Sequence, residues 1–103
     1  MTSKFVPSEI KVNGKPIKKS YQNALTKAQA TIIWKDKDAG VRANKFSGVV
    51  AQLTDLETSI FDWVMVWYAL YERGQMVTPV TIFDNMRYLF LELNPDAYYD
   101  LLD

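Results

Sequence analysis

The sequence predicts a mainly α domain: a small bundle of three to four helices with an N-terminal β-hairpin, spanning residues 1–103 as a single unit. Three observations carry that expectation. Thr54 to Gly74 is a long apolar segment with helix signals at both ends, Thr78-Pro79 opens a second segment of helical period, and Asn13-Gly14 divides two short alternating stretches near the N-terminus.

Met1 to Pro7 has no periodicity and reads as a loosely held arm. Glu9-Ile10-Lys11-Val12 and Lys15-Pro16-Ile17-Lys18 then alternate apolar and charged residues about Asn13-Gly14, the preferred pair for a type I′ turn. Pro16 cannot donate to a central ladder, so its strand is expected at an edge with the lysines toward water. An isolated hairpin is marginal in water, and Ile10, Val12 or Ile17 must therefore rest on the helices.

Ser20 is placed to cap a helix running to about Lys37, with Tyr21, Leu25, Ala28 and Ile32 on one stripe and Ala39-Gly40 as its end. Thr31-Ile32-Ile33-Trp34 is β-branched and aromatic enough to allow a strand there instead. Between Val41 and Leu53, helical spacing of Ala43, Phe46, Val50 and Leu53 predicts a short helix, although Ser47-Gly48 interrupts it.

Thr54 and Glu57 form a capping-box pattern, Asp55 and Glu57 place negative charge at the positive end of the helix dipole, and Arg73-Gly74 closes the segment. Asp55, Thr58, Ser59, Asp62 and Arg73 fall on one narrow stripe at 100° per residue, leaving everything else to face protein. The uninterrupted apolar run from Trp63 to Tyr71 is shorter than the roughly 18–20 residues a bilayer requires. It predicts a central core helix enclosed by the others. Phe83, Met86, Phe90 and Leu93 share one face of the next helix, and Asn94-Pro95-Asp96 starts a last short one.

Composition removes most chemistry. The chain has no cysteine and no histidine, hence no thiolate or disulfide and neither the commonest general base nor the commonest transition-metal ligand. It has no glycine-rich phosphate loop and no nucleophile elbow, so the expectation is a non-enzyme without cofactor or metal. Asp36-Lys37-Asp38-Ala39-Gly40 starts like a calcium loop, but the glycine comes one residue early and Ser47 stands where a bidentate glutamate is needed. No leader or glycosylation acceptor is apparent, which makes the cytoplasm the expected location and a membrane an unexpected partner.

The formal net charge of zero hides a division. The N-terminal half, residues 1–45, holds ten bases against three acids; the helical half, residues 46–103, holds two bases against nine acids. Such asymmetry points to interaction surfaces, unless the halves of one domain simply neutralise each other. Function is therefore expected to be protein–protein interaction, regulatory or accessory, through the acidic, aromatic-rich half, with another protein or a second copy as partner. A basic face on one copy can meet an acidic face on the next. Small accessory proteins, including those of phages, share this profile.

The candidate partner-binding residues are Trp63, Trp67 and Tyr71 of an aromatic group that also includes Tyr68 and Tyr88, and Tyr98, Tyr99, Leu101 and Leu102 of the tail. Core packing is the competing explanation for both sets. The alternative function is nucleic-acid binding by Lys11, Lys15, Lys18, Lys19 and Lys27, with Tyr21 or Trp34 to stack on unpaired bases. A helix-turn-helix is disfavoured because the would-be recognition helix from Val80 to Leu93 carries Asp84 and Glu92 against a single base, Arg87.

Overall fold

The computed structural model describes residues 3–75 and 78–102. A 3-10 turn at Pro7–Glu9 leads into β1 (Lys11–Val12) and β2 (Lys15–Pro16), followed by α1 (Lys19–Gln29), β3 (Gly40–Ala43), β4 (Val50–Leu53), α2 (Asp55–Glu72), α3 (Val80–Leu93) and α4 (Pro95–Leu102). The fold is thus a small mainly α one with an N-terminal hairpin. None of its helices is long and apolar enough to cross a membrane among the described residues.

The first hairpin follows its turn chemistry. Asn13 and Gly14 both take positive φ, 54° and 79°, as a type I′ turn requires. Val12 pairs with Lys15 and Lys11 with Pro16. Ile17 is buried, Ile10 and Val12 pack partly against the core, and the lysines stay in water.

The arm before the hairpin is held, not loose, over its described residues. Asp36 accepts from the Ser3 hydroxyl at 2.9 Å and the Lys4 N–H at 3.0 Å, and Phe5 meets the Trp34 ring edge-on at 6.4 Å. Gln29 donates to both Ser3 Oγ and the Phe5 carbonyl. Met1 and Thr2 lie outside the described residues.

Two sequence expectations fail between Ala30 and Leu53. Helix α1 begins at Lys19, with Lys18 as an N-cap that makes no side-chain bond, and ends at Gln29, well before Lys37. The run Thr31-Ile32-Ile33 is poor helix material, and Thr31 turns its hydroxyl back to the Ala28 carbonyl at 2.7 Å. The loop that follows sends Trp34 inward, where its indole donates to Asp36, and leaves Ile32 98% exposed. The segment expected as a short helix over Val41 to Leu53 is a second antiparallel hairpin, in which Gly40 pairs with Leu53 and Ala43 with Val50. Val49-Val50 favours a strand, and Asn44 with Ser47-Gly48 supplies the turn.

Helix α2 is capped as expected. Thr54 Oγ1 accepts from the Glu57 N–H at 3.3 Å, Glu57 Oε1 accepts from the Thr54 N–H at 3.1 Å, and Gly74 closes the far end with φ 69°. Its burial departs from the expected stripe. Thr58 and Ser59 are buried, whereas Val66, Tyr68 and Tyr71 are exposed. Helix α3 shares the central place, because Met86, Leu89 and Phe90 are fully buried and α1, α2 and α4 all pack on it. Helix α4 lies on α3 and β4, with Ala97 and Leu101 buried.

Candidate protein-binding site

The second hairpin, α2, α3 and α4 converge on one pocket of about 160 Å³. Asn44 builds it. The Asn44 side-chain oxygen accepts from the N–H groups of Phe46 and Ser47 at 2.8 and 3.0 Å, which shapes the turn after β3. Its amide nitrogen donates to the Asp100 carbonyl at 3.0 Å and, more weakly, to that of Leu101 at 3.4 Å, tying the turn to the last turn of α4. One buried side chain therefore holds the hairpin tip against the end of the chain's last helix.

The tip projects Lys45 and Phe46, and Phe46 is 85% exposed. Val64, Met65 and Tyr68 form the α2 wall, Arg87 the α3 wall, and Leu101 and Leu102 the α4 wall. Tyr71 lies one turn beyond Tyr68 on the same helix face and extends the aromatic surface. Lys45 Nζ sits 5.0 Å from the centre of the Phe46 ring and 5.6 Å from that of Tyr68. The Arg87 guanidinium lies between the Phe83 and Tyr88 rings, 5.4 and 5.9 Å from their centres, and gives one NH2 group to Asp84 at 3.2 Å. Its Nε is buried with no protein partner, and so is Nε1 of Trp67. Lys45 makes no ion pair among the described residues.

The structure divides the candidate partner-binding residues. Trp63, Trp67 and Leu101 are buried in the core. Trp63 and Trp67 pack on each other at 5.9 Å, and Trp63 donates to the Thr31 hydroxyl at 3.3 Å. Tyr98 is half-buried against Phe90, while Tyr71 and Tyr99 are exposed. Only Leu101 and Leu102 of that set line the pocket. Asn44, Lys45, Phe46, Met65 and Arg87 are not among the candidates the sequence singles out; turn chemistry at Asn44 and Gly48 is a signal that could have placed a hairpin tip here, where helical spacing predicted a helix.

The basic candidates behave differently. Lys11, Lys15, Lys18, Lys19 and Lys27 are all exposed, and none makes an ion pair among the described residues. The rings assigned to stack on bases are not available, since Tyr21 and Trp34 are buried.

Among the described residues the two charge sets meet only around the first half of α2. Lys4 pairs with Asp55 at 3.7 Å, and Lys37 and Arg42 pair with Asp62 at 4.0 and 2.8 Å. A second Arg42–Asp62 hydrogen bond at 2.8 Å makes that pair bidentate. Hydrogen bonding to Asp62 raises the Arg42 pKa against the opposing effect of burial, and the Asp62 charge adds to the rise. At Asp36, burial pushes the carboxyl up. Hydrogen bonds from the Lys4 N–H, Ser3 and Trp34, with the Lys4 charge, outweigh it and hold the pKa below the usual value. Elsewhere the charges stay apart, with the free lysines on β1, β2 and α1 and the exposed carboxylates of Glu92, Asp96 and Asp100 on α3 and α4.

No family model, curated protein or solved structure matches the chain.

Proposed function

We propose that this protein is a non-catalytic binding module that docks a protein partner on the face formed by the β3–β4 tip, α2 and the end of α4. The observation that carries this reading is Phe46. Leaving a large aromatic side chain in water forgoes about 1.5–3 kcal/mol of burial, yet Asn44 pins the turn that presents it. An exposed aromatic beside a small apolar pocket, with methionine, tyrosine and arginine around it, has the composition of an interface core. The polar side chains there are Lys45, Arg87, the Tyr68 phenol and an amide already committed to the backbone, a set suited to binding.

The test compares proteins retained from cell extract by the wild type and by Phe46→Ser, after both show the same melting temperature. A protein kept by the wild type and lost by the variant is the expected result. Identical retention removes this face from the function.

The unpaired state of Lys11, Lys15, Lys18, Lys19 and Lys27, on and between β1, β2 and α1, supports a second reading, phosphate-backbone binding to nucleic acid. It predicts binding that weakens steeply with salt and is lost in Lys15→Glu/Lys19→Glu. Absence of binding at low salt excludes it.

A further inference from the structure

We infer that the pocket beside Phe46 receives Tyr99 of a second copy of this chain, with Asp96 and Asp100 of that copy meeting Lys45 and Arg87. The inference rests on the reading of this face as a protein-binding surface and names its partner.

The pocket specifies its guest by size and charge. At about 160 Å³ it matches the scale of cavities that take a single benzene-sized group. Its charged walls are both cationic, Lys45 and Arg87, and no carboxylate lines it among the described residues. Arg87 commits one NH2 group to Asp84 and leaves its Nε without a protein partner. A guest ring with carboxylates beside it meets the two cationic walls, whereas the Arg87 Nε is buried beyond its reach. A neutral guest leaves the two cations partly desolvated beside it, which is unfavourable.

The chain carries such a guest on α4. Positions 96, 99 and 100 share one face of that helix, spaced by three and four residues. All three are exposed, and the face opposite them is anchored in the core by Ala97 and Leu101. Tyr99 is thus a ring held outward beside two carboxylates, rigid because its helix is packed and its ring rests edge-on against Tyr98 at 5.6 Å. Both halves of the contact lie near the end of α4, since Leu101 and Leu102 wall the pocket. A two-fold pairing can therefore make the same contact twice. Zero formal net charge leaves no overall repulsion between copies to oppose it.

Sedimentation of the full chain across a wide concentration range tests this. The wild type is expected to dimerise reversibly, more weakly at high salt. Tyr99→Ser and Lys45→Asp are each expected to weaken the dimer at least about tenfold without changing the melting temperature of the monomer. The decisive measurement mixes Lys45→Asp with Asp96→Lys/Asp100→Lys. Each variant alone is expected to be impaired, and the mixture to recover association, because one reversed contact per heterodimer is again complementary. A wild type that stays monomeric throughout overturns the inference, as does a dimer indifferent to Tyr99→Ser or a charge-swapped mixture that fails to recover. A monomer whose captured partner is still lost in Phe46→Ser would overturn the second-copy guest alone and leave the proposed function standing.

Discussion

The two halves of α2 invert the usual relation between polarity and burial. From Glu57 to Ser59 the helix is polar and buried; from Val66 to Tyr71 it is largely apolar and substantially exposed, with Tyr71 at 61%. The buried half is satisfied group by group. Thr58 and Ser59 donate their hydroxyls to the Thr54 and Asp55 carbonyls at 2.7 and 3.0 Å, and Ser59 Oγ also accepts the Lys37 N–H at 2.7 Å. Glu57 accepts from Thr54 and from the Asn94 amide, which in turn caps α4 through the Ala97 N–H. Polar side chains can be buried at low penalty when each has a partner. In the other half, no element among the described residues covers the outer face. The difference teaches that the first half of α2 is covered on its polar side as well, whereas the second half buries Trp67 and leaves Val66, Tyr68 and Tyr71 in water.

That comparison is open to breakage at several points, beginning with the largest effect. Trp67→Ala, at the junction of the halves and buried, is expected to destabilise by about 3–5 kcal/mol in denaturant unfolding. A loss below about 1 kcal/mol would place the end of the core before Trp67. Glu57→Ala removes the acceptor shared by the caps of α2 and α4 and should lose about 1–3 kcal/mol. Replacing the partner instead, Asn94→Ala, should give a non-additive double mutant.

Ser59→Ala leaves the Lys37 N–H without its acceptor and should lose about 1 kcal/mol, measured the same way. The Asp36 clamp is smaller and is lost in acid. Its folded pKa is depressed, so the stability it adds over Asp36→Asn is present above the unfolded value of about 3.9 and fades as pH falls through the lower folded value. Melting curves of the two proteins should therefore converge in acid. Tyr71→Ser should change stability by no more than about 0.5 kcal/mol, since the ring is exposed. A larger loss would mean that the second half of α2 is also part of the core.

The local signals were legible wherever a residue's role depends on its immediate neighbours. Asn13-Gly14 demanded positive φ at both positions, Thr54 and Glu57 closed a capping box within one turn, and Asn94-Pro95 started α4; all of these act over three or four residues. The segment from Ala30 to Leu53 was not legible in this way. Its apolar residues fit helical spacing as well as strand pairing, and the choice was made by contacts far along the chain: Trp34 with Phe5, Arg42 with Asp62, and Asn44 with the end of α4. The candidate site shared that fate. Periodicity singled out Trp63 and Trp67, which the fold uses as core, while Phe46 became a surface anchor only because β3 and β4 pair behind it.

By itself, then, the sequence determined the fold class, the first hairpin, the caps of α2 and α4, and the absence of thiol and imidazole chemistry, since each is set by residue identity or by short-range geometry. The tertiary structure alone decided which half of α2 is covered, where the free charges lie, and which aromatic side chains meet water. Burial is a property of what remains to pack against a face, and no local pattern records that.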